Sequence, residues 1–175
     1  ITDYSQMLKD EVALSKEKMK RINLKLIARS VVDDFNSIYE AKRGIKIILN
    51  DLNNQEEYFI NGIENRIEQI IANLLDNSIS FSDDNKKILV EVSKSDKDKV
   101  VLRIIDEGKG FKESNTKKIF DRFYTNRPDN FGEHSGLGLN IVKNLVDLHG
   151  ATISAANNTA QKGANVEIIF PKSQT

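Results

Sequence analysis

Asn73 and Asn77 stand one helical turn apart, in line with Gln69 and Ser80. An amide there can turn its carbonyl oxygen to a hard cation such as Mg²⁺ while its NH₂ bonds elsewhere. The plainer alternative is a solvated helix face. Asp106 is a second candidate. Alternation along Val100–Asp106 puts Val100, Leu102, Ile104 and Asp106 on one face, so a carboxylate continues a buried apolar row and needs a hydrogen-bond partner. At the floor of an apolar slot it suits an exocyclic amine, such as that of adenine. The following Glu107-Gly108-Lys109-Gly110 lets the backbone turn sharply and approach a ligand, although Asp-x-Gly-x-Gly also describes an ordinary turn. The third candidate is Ser135-Gly136-Leu137-Gly138-Leu139, which opens a helix. Positions without side chains bare the N–H groups of the first turn there, and the helix dipole favours an anion. A flexible hinge before a core helix accounts for this string equally well.

The elements that must position these groups follow from periodicity. Apolar residues Ile63, Ile67, Ile70, Ile71, Leu74 and Leu75, with Ser78, fall on one helical face and predict a helix over Glu64–Ser80. The asparagines run beside that stripe. Helices are also expected over Ile1–Lys20, with a thin stripe broken by Glu11 and Ser15, over Lys25–Tyr39 ahead of the stop signal Gly44, over Asn115–Phe120, and over Leu137–Leu148 ahead of Gly150. Arg21–Leu24 reads as short and extended. Ile45–Asn50 and Tyr58–Ile60 read as strands around the turn-rich Asp51–Asn54, and Ile88–Ser93 and Val100–Ile105 as strands joined by the charged Ser95–Asp98. Ala151–Ala155 and Asn165–Phe170 close the chain as strands. Tyr124–Ser135 is polar, holds Pro128 and Gly132 and lacks periodicity, which predicts a mobile loop. Hairpins and helices alternate without a regular βαβ rhythm, so a mixed α/β sandwich is expected over a doubly wound parallel sheet.

Composition narrows the function further. The 175 residues include 26 Lys+Arg and 26 Asp+Glu, a zero net charge that argues against a broad electrostatic grip on nucleic acid. Without cysteine there is no disulfide framework, thiolate metal site or catalytic thiol. A 39% hydrophobic content is globular, and the apolar runs are too short to span a bilayer. With no initiator Met and no signal-peptide pattern, the chain reads as a soluble part of something longer.

Order and spacing then join the candidates. Asn77 precedes Asp106 by 29 residues and Asp106 precedes Gly136 by 30, with the aromatic Ile119–Tyr124 between them. In this the sequence resembles the catalytic, ATP-binding domain of sensor histidine kinases, in the superfamily shared with gyrase, MutL and the Hsp90 chaperones. Asn73–Ser78 resembles its N box, Asp106–Gly110 its G1 box, Phe120–Phe123 its F box and Gly136–Leu139 its G2 box. The match runs from about Arg21 to Pro171. Ile1–Lys20 resembles the second helix of the dimerisation and phosphotransfer hairpin, which makes 21–175 the catalytic domain. The strings Asp76–Ser82 and Arg122–Pro128 look most like the ChvG/ExoS branch of alphaproteobacterial envelope sensors.

The resemblance implies an α+β, two-layer sandwich of the Bergerat ATP-binding type. Its sheet is mixed and mostly antiparallel, with three helices on one face and ATP between helices and lid. It implies Mg²⁺ on Asn77, support of the metal and phosphates from Asn73, and the adenine amino group on Asp106 with clearance from Gly108 and Gly110. Ser135, Gly136, Leu137 and Gly138 would face the phosphates, Phe123 would belong to the aromatic anchor, and Tyr124–Ser135 would be the lid. Many relatives carry Lys or Arg at the place of Ser80 and Arg at that of Thr125, so Arg122 or Arg127 is the implied replacement charge. His134 stands where a lid glycine is usual.

These roles imply transfer of the γ-phosphoryl of Mg-ATP to a histidine, then relay to a response regulator. They also imply a homodimeric full-length protein of which this is the cytoplasmic portion, anchored at the inner membrane. A water-activating ATPase would need Glu where Asn73 stands, and an amide cannot take up a proton near neutral pH. A nucleotide-sensing module without kinase activity is the alternative. His134 and His149 are the only histidines. Neither has the acidic helical context of a phosphoacceptor, so the acceptor is expected outside the chain and His149 is expected to cap or pack.

Overall fold

The computed structural model describes residues 18–54, 57–111, 119–120, 137–158 and 162–173. Strand β1 (Lys20–Asn23) leads into helix α1 (Leu24–Arg43), then β2 (Lys46–Asp51), β3 (Phe59–Gly62) and helix α2 (Glu64–Phe81). Strands β4 (Lys87–Lys94) and β5 (Val100–Asp106), helix α3 (Leu137–Leu148) and strands β6 (Thr152–Asn157) and β7 (Ala164–Phe170) complete the order. The helix expected over Ile1–Lys20 lies outside the described residues except at its end, where Lys20 already belongs to β1.

Five strands form the main sheet in the order β2-β4-β5-β7-β6, antiparallel except for the parallel β2/β4 pair. The α+β two-layer architecture expected from the sequence is therefore the one observed. The two strands around Asp51–Asn54 do not pair with each other. β2 joins the main sheet, and β3 pairs antiparallel with β1 in a separate two-stranded ribbon. Parallel pairing of β2 with β4 needs a crossover, and α2 supplies it. Asn36 of α1 secures β2 by exchanging hydrogen bonds with the Ile47 carbonyl and N–H, both at 2.9 Å.

The core lies between the helices and one sheet face. Ile67, Ile70, Ile71, Leu74 and Leu75 of α2 are buried against a layer that includes Ile88, Val90, Leu102, Ile104, Val166 and Ile168. Burial of each such side chain stabilises by about 1.5–3 kcal/mol, so the stripe that makes α2 amphipathic also fixes its rotation on the sheet. That rotation decides where Asn73, Asn77 and Ser78 point.

Candidate functional site

Asp106 ends β5 as the alternation predicts, on the buried face with Val100, Leu102 and Ile104, and is itself 4% exposed. Its Oδ1 accepts the Gly108 N–H at 2.9 Å and the Ala164 N–H at 3.1 Å. Burial pushes the carboxyl above its ordinary value, while those two N–H groups and the Ser78 hydroxyl pull the other way. A carboxylate so shielded from water is stabilised by each N–H donor that reaches it, a ligand's included.

The wall beside it leaves no slack. A Cβ added at Gly108 would fall 2.5 Å from the Phe81 carbonyl oxygen, and one added at Gly163 would overlap the Asp106 carbonyl oxygen. Asn158 donates from Nδ2 to that same carbonyl at 3.0 Å. Asn157 accepts the Phe111 N–H at 2.7 Å and donates to the Phe111 carbonyl at 3.2 Å, and its side chain abuts Gly110. The β6–β7 turn thus clamps the loop that follows β5.

Asn77 is buried on α2, and Asn73 is half-buried one turn earlier on the same side. Ser80 donates from Oγ to the Asn77 carbonyl at 2.8 Å, tightening the last turn. Among the described residues no three His, Cys, Asp or Glu side chains gather as a metal cage. An amide oxygen beside an anion site fits Mg²⁺, which keeps waters and takes most other ligands from bound phosphates. Leu137 and Gly138 form the start of α3, where Gly138 is exposed and an added Cβ would meet nothing within 4 Å among the described residues. Asn140 donates to the Phe120 carbonyl at 3.1 Å, tying this first turn to the buried Ile119 and Phe120. Arg122, Phe123, Arg127, Ser135, Gly136 and the rest of the Tyr124–Ser135 segment lie outside the described residues, as does most of the helix expected over Asn115–Phe120.

His149 packs, as its place at the end of α3 suggests. Its Nε2 accepts the Ile63 N–H at 3.1 Å, and its Nδ1 meets the Leu145 carbonyl at 2.7 Å. The ring is therefore neutral with the proton on Nδ1. Ile63 is the N-cap of α2 and supplies no side-chain cap, and its own N–H is met by His149, just past the end of α3.

Sequence reasoning missed Ser78, Asn157, Asn158 and Gly163. Ser78 was counted within the apolar stripe, and a hydroxyl at a buried stripe position was the signal available. Asn158 and Gly163 reach Asp106, and Asn157 reaches Phe111, only through the pairing of β7 with β5 and β6.

A buried carboxylate at the end of β5 and a buried asparagine on α2 are thus carried on a two-layer sandwich. Residues 62–174 match the family of histidine kinase-, DNA gyrase B- and HSP90-like ATPases, well over half of the chain, and the chain belongs to that family. It is a catalytic domain of the histidine-kinase type. It is 29% identical to the sensor protein ChvG of Agrobacterium fabrum, over 100% of this chain and 31% of that protein. It is also 29% identical to the sensor protein kinase PmrB of Pseudomonas aeruginosa, over 90% of this chain and 32% of that protein. The chain thus spans about a third of these relatives. The catalytic domain of histidine kinase ThkA, in a nucleotide-free form, is similar at a TM-score of 0.77 and 25% identity, over 90% of this chain and 100% of that one.

Proposed function

We propose that the chain binds Mg-ATP and transfers the γ-phosphoryl to a histidine on the dimerisation hairpin of its full-length kinase, for relay to a response-regulator aspartate. The observation that carries this is Asp106, a buried carboxylate fixed by Gly108 and Ala164 and shaped to accept the adenine amino group. Asn77, supported by Asn73, would hold Mg²⁺, which when bound neutralises phosphate charge. The first turn of α3, with Leu137 and Gly138, would hold the phosphates on its N–H groups. In-line attack by the acceptor nitrogen forms the N–P bond, breaks the bond to the β,γ-bridging oxygen and releases ADP. Such transfer depends on positioning and charge neutralisation, which these residues supply. Asn73 offers no base for activating water, which favours a histidine acceptor over hydrolysis.

On this reading residues 1–20 are the end of the hairpin, 21–175 the catalytic domain, and the full protein a dimeric inner-membrane sensor facing the cytoplasm. Arg122 or Arg127 would supply the charge that Ser80 and Thr125 lack. The strings Asp76–Ser82 and Arg122–Pro128 support a place beside the ChvG branch. Calorimetry of wild type and Asp106→Asn with Mg-ATP tests the site. The amide sets a donor against the adenine donor and should cost about 1–3 kcal/mol of binding. Unchanged affinity in a folded variant would exclude Asp106 as the adenine partner.

A further inference from the structure

α2 has no basic residue in its last turn, and carbonyls at its end are met from another helix. Arg43, the last residue of α1, donates from Nη1 to the Ile79 carbonyl at 2.8 Å and from Nη2 to the Ser82 carbonyl at 2.7 Å. Its Nε reaches Asp84 Oδ1 at 2.7 Å. One planar guanidinium is thus committed to a single corner of chain. Backbone bonds close the same corner. Asn85 donates its N–H to the Arg43 carbonyl at 3.0 Å, and Lys46 donates its N–H to the Lys86 carbonyl at 3.2 Å.

The turn held in this way is the one that addresses the site. Ser78 and Phe81 bracket Ile79, the residue whose carbonyl Arg43 takes. The buried Ser78 hydroxyl favours the ionised Asp106 carboxyl, and the Phe81 carbonyl stands against Gly108. We propose that Arg43 is a positioning residue for nucleotide binding. Its fork fixes the last turn of α2 and so sets Ser78 and the Phe81 carbonyl against the Asp106–Gly108 wall. Arg43 touches no nucleotide atom in this scheme and acts through the backbone of α2. A cation at a helix C-terminus also opposes the dipole, but the geometry asks for more than charge. Two carbonyls and a carboxylate, each on a different nitrogen of Arg43, match a guanidinium and not an ammonium.

The inference rests on the nucleotide-binding reading, and the experiment separates the two. Affinities of the 175-residue chain for metal-free ADP and for Mg-ATP are measured by calorimetry in wild type, Arg43→Met, Arg43→Lys and Asp84→Asn. Melting temperatures and the amide resonances of Gly108 and Ala164 are recorded alongside. Arg43→Met should weaken both nucleotides by the same factor, about 10-fold, as loss of an outer support does at other sites. It should also shift both amide resonances. Arg43→Lys should recover only part of the affinity, and Asp84→Asn should leave it unchanged, because the two carbonyl ties remain. A lower melting temperature with wild-type affinity and unshifted amides would overturn the positioning role. Should Arg43→Met fail to fold, Arg43→Lys decides, since full wild-type affinity there also contradicts the proposal. Absence of nucleotide binding by wild type would defeat the underlying reading itself.

Discussion

At the Asp106 end of the site, the carboxylate takes two backbone N–H groups and its own carbonyl takes the Asn158 amide, while Gly108 and Gly163 stand where no Cβ fits. At the start of α3, Gly138 is exposed, and an added Cβ would touch none of the described residues within 4 Å. The first region sits on the central strand β5 and is clamped by the β6–β7 turn. The second is the start of α3, Leu137 and Gly138. Specific recognition of a base needs a prepaid, rigid acceptor, because an unpaired buried donor is costly. A helix N-terminus suits an anion through its first N–H groups. On the proposed function, the closely packed end would discriminate the base and the start of α3 would hold the phosphates.

The contrast breaks most visibly at Gly163. Its φ of +137° and its contact with the Asp106 carbonyl leave no room for alanine. Gly163→Ala should cost about 3 kcal/mol of stability through strain and displacement. Thermal denaturation checks this, and an unchanged melting temperature would mean the clamp is loose.

A smaller effect is expected at His149, at the far end of α2. His149→Ala leaves the buried Ile63 N–H without its acceptor and should cost about 1–3 kcal/mol. Burial lowers the His149 pKa below its ordinary 6.5, so as pH falls the unfolded chain takes the proton first. The stability His149 supplies is complete above 6.5 and is lost as pH falls from there through the folded-state value. Asp106 has the opposite sign, since its carboxyl is raised and its contribution is lost as pH rises. Comparing wild type with His149→Gln cancels Asp106. The glutamine Oε1 can still accept the Ile63 N–H, so denaturant titrations should show a shallower loss on acidification in the variant. Parallel pH profiles would remove His149 as the titrating group.

The smallest effect belongs to the start of α3. Gly138→Ala should raise stability by about 0.5–1 kcal/mol, because alanine favours the helix and meets no neighbour among the described residues. It should at the same time weaken Mg-ATP by crowding the approach of phosphates. Stability and affinity moving together would show that both ends share one rigidity.

How much of this was legible in the sequence depended on the range of the interactions. The 3.6-residue stripe fixed α2 to within a residue or so at its end, and the alternation in β5 put Asp106 on the buried face, because both are local patterns. β2 and β3, adjacent in sequence, were harder, since a turn-rich link does not say whether its strands pair with each other or with β4 and β1. Ser78, Asn157, Asn158 and Gly163 acquire meaning only through side-chain burial and the β5/β7 register. The helix expected over Lys25–Tyr39 stops short of Arg43, which is the last residue of α1. Only the packing of α1 against α2 turns Arg43 toward Ile79 and Ser82.

Phosphoryl transfer to a histidine outside the chain is tested most directly by incubation with Mg²⁺ and γ-labelled ATP. The described histidine, His149, has both ring nitrogens engaged and stands past the end of α3, a helix 12 residues or about 18 Å long. Attack on phosphorus needs roughly 3–3.5 Å. The account predicts no acid-labile, base-stable label on the 175 residues alone, and label on a separately added hairpin that carries the upstream phosphoacceptor histidine. Stable phosphohistidine on the isolated chain, or no label on the hairpin despite bound Mg-ATP, would contradict it.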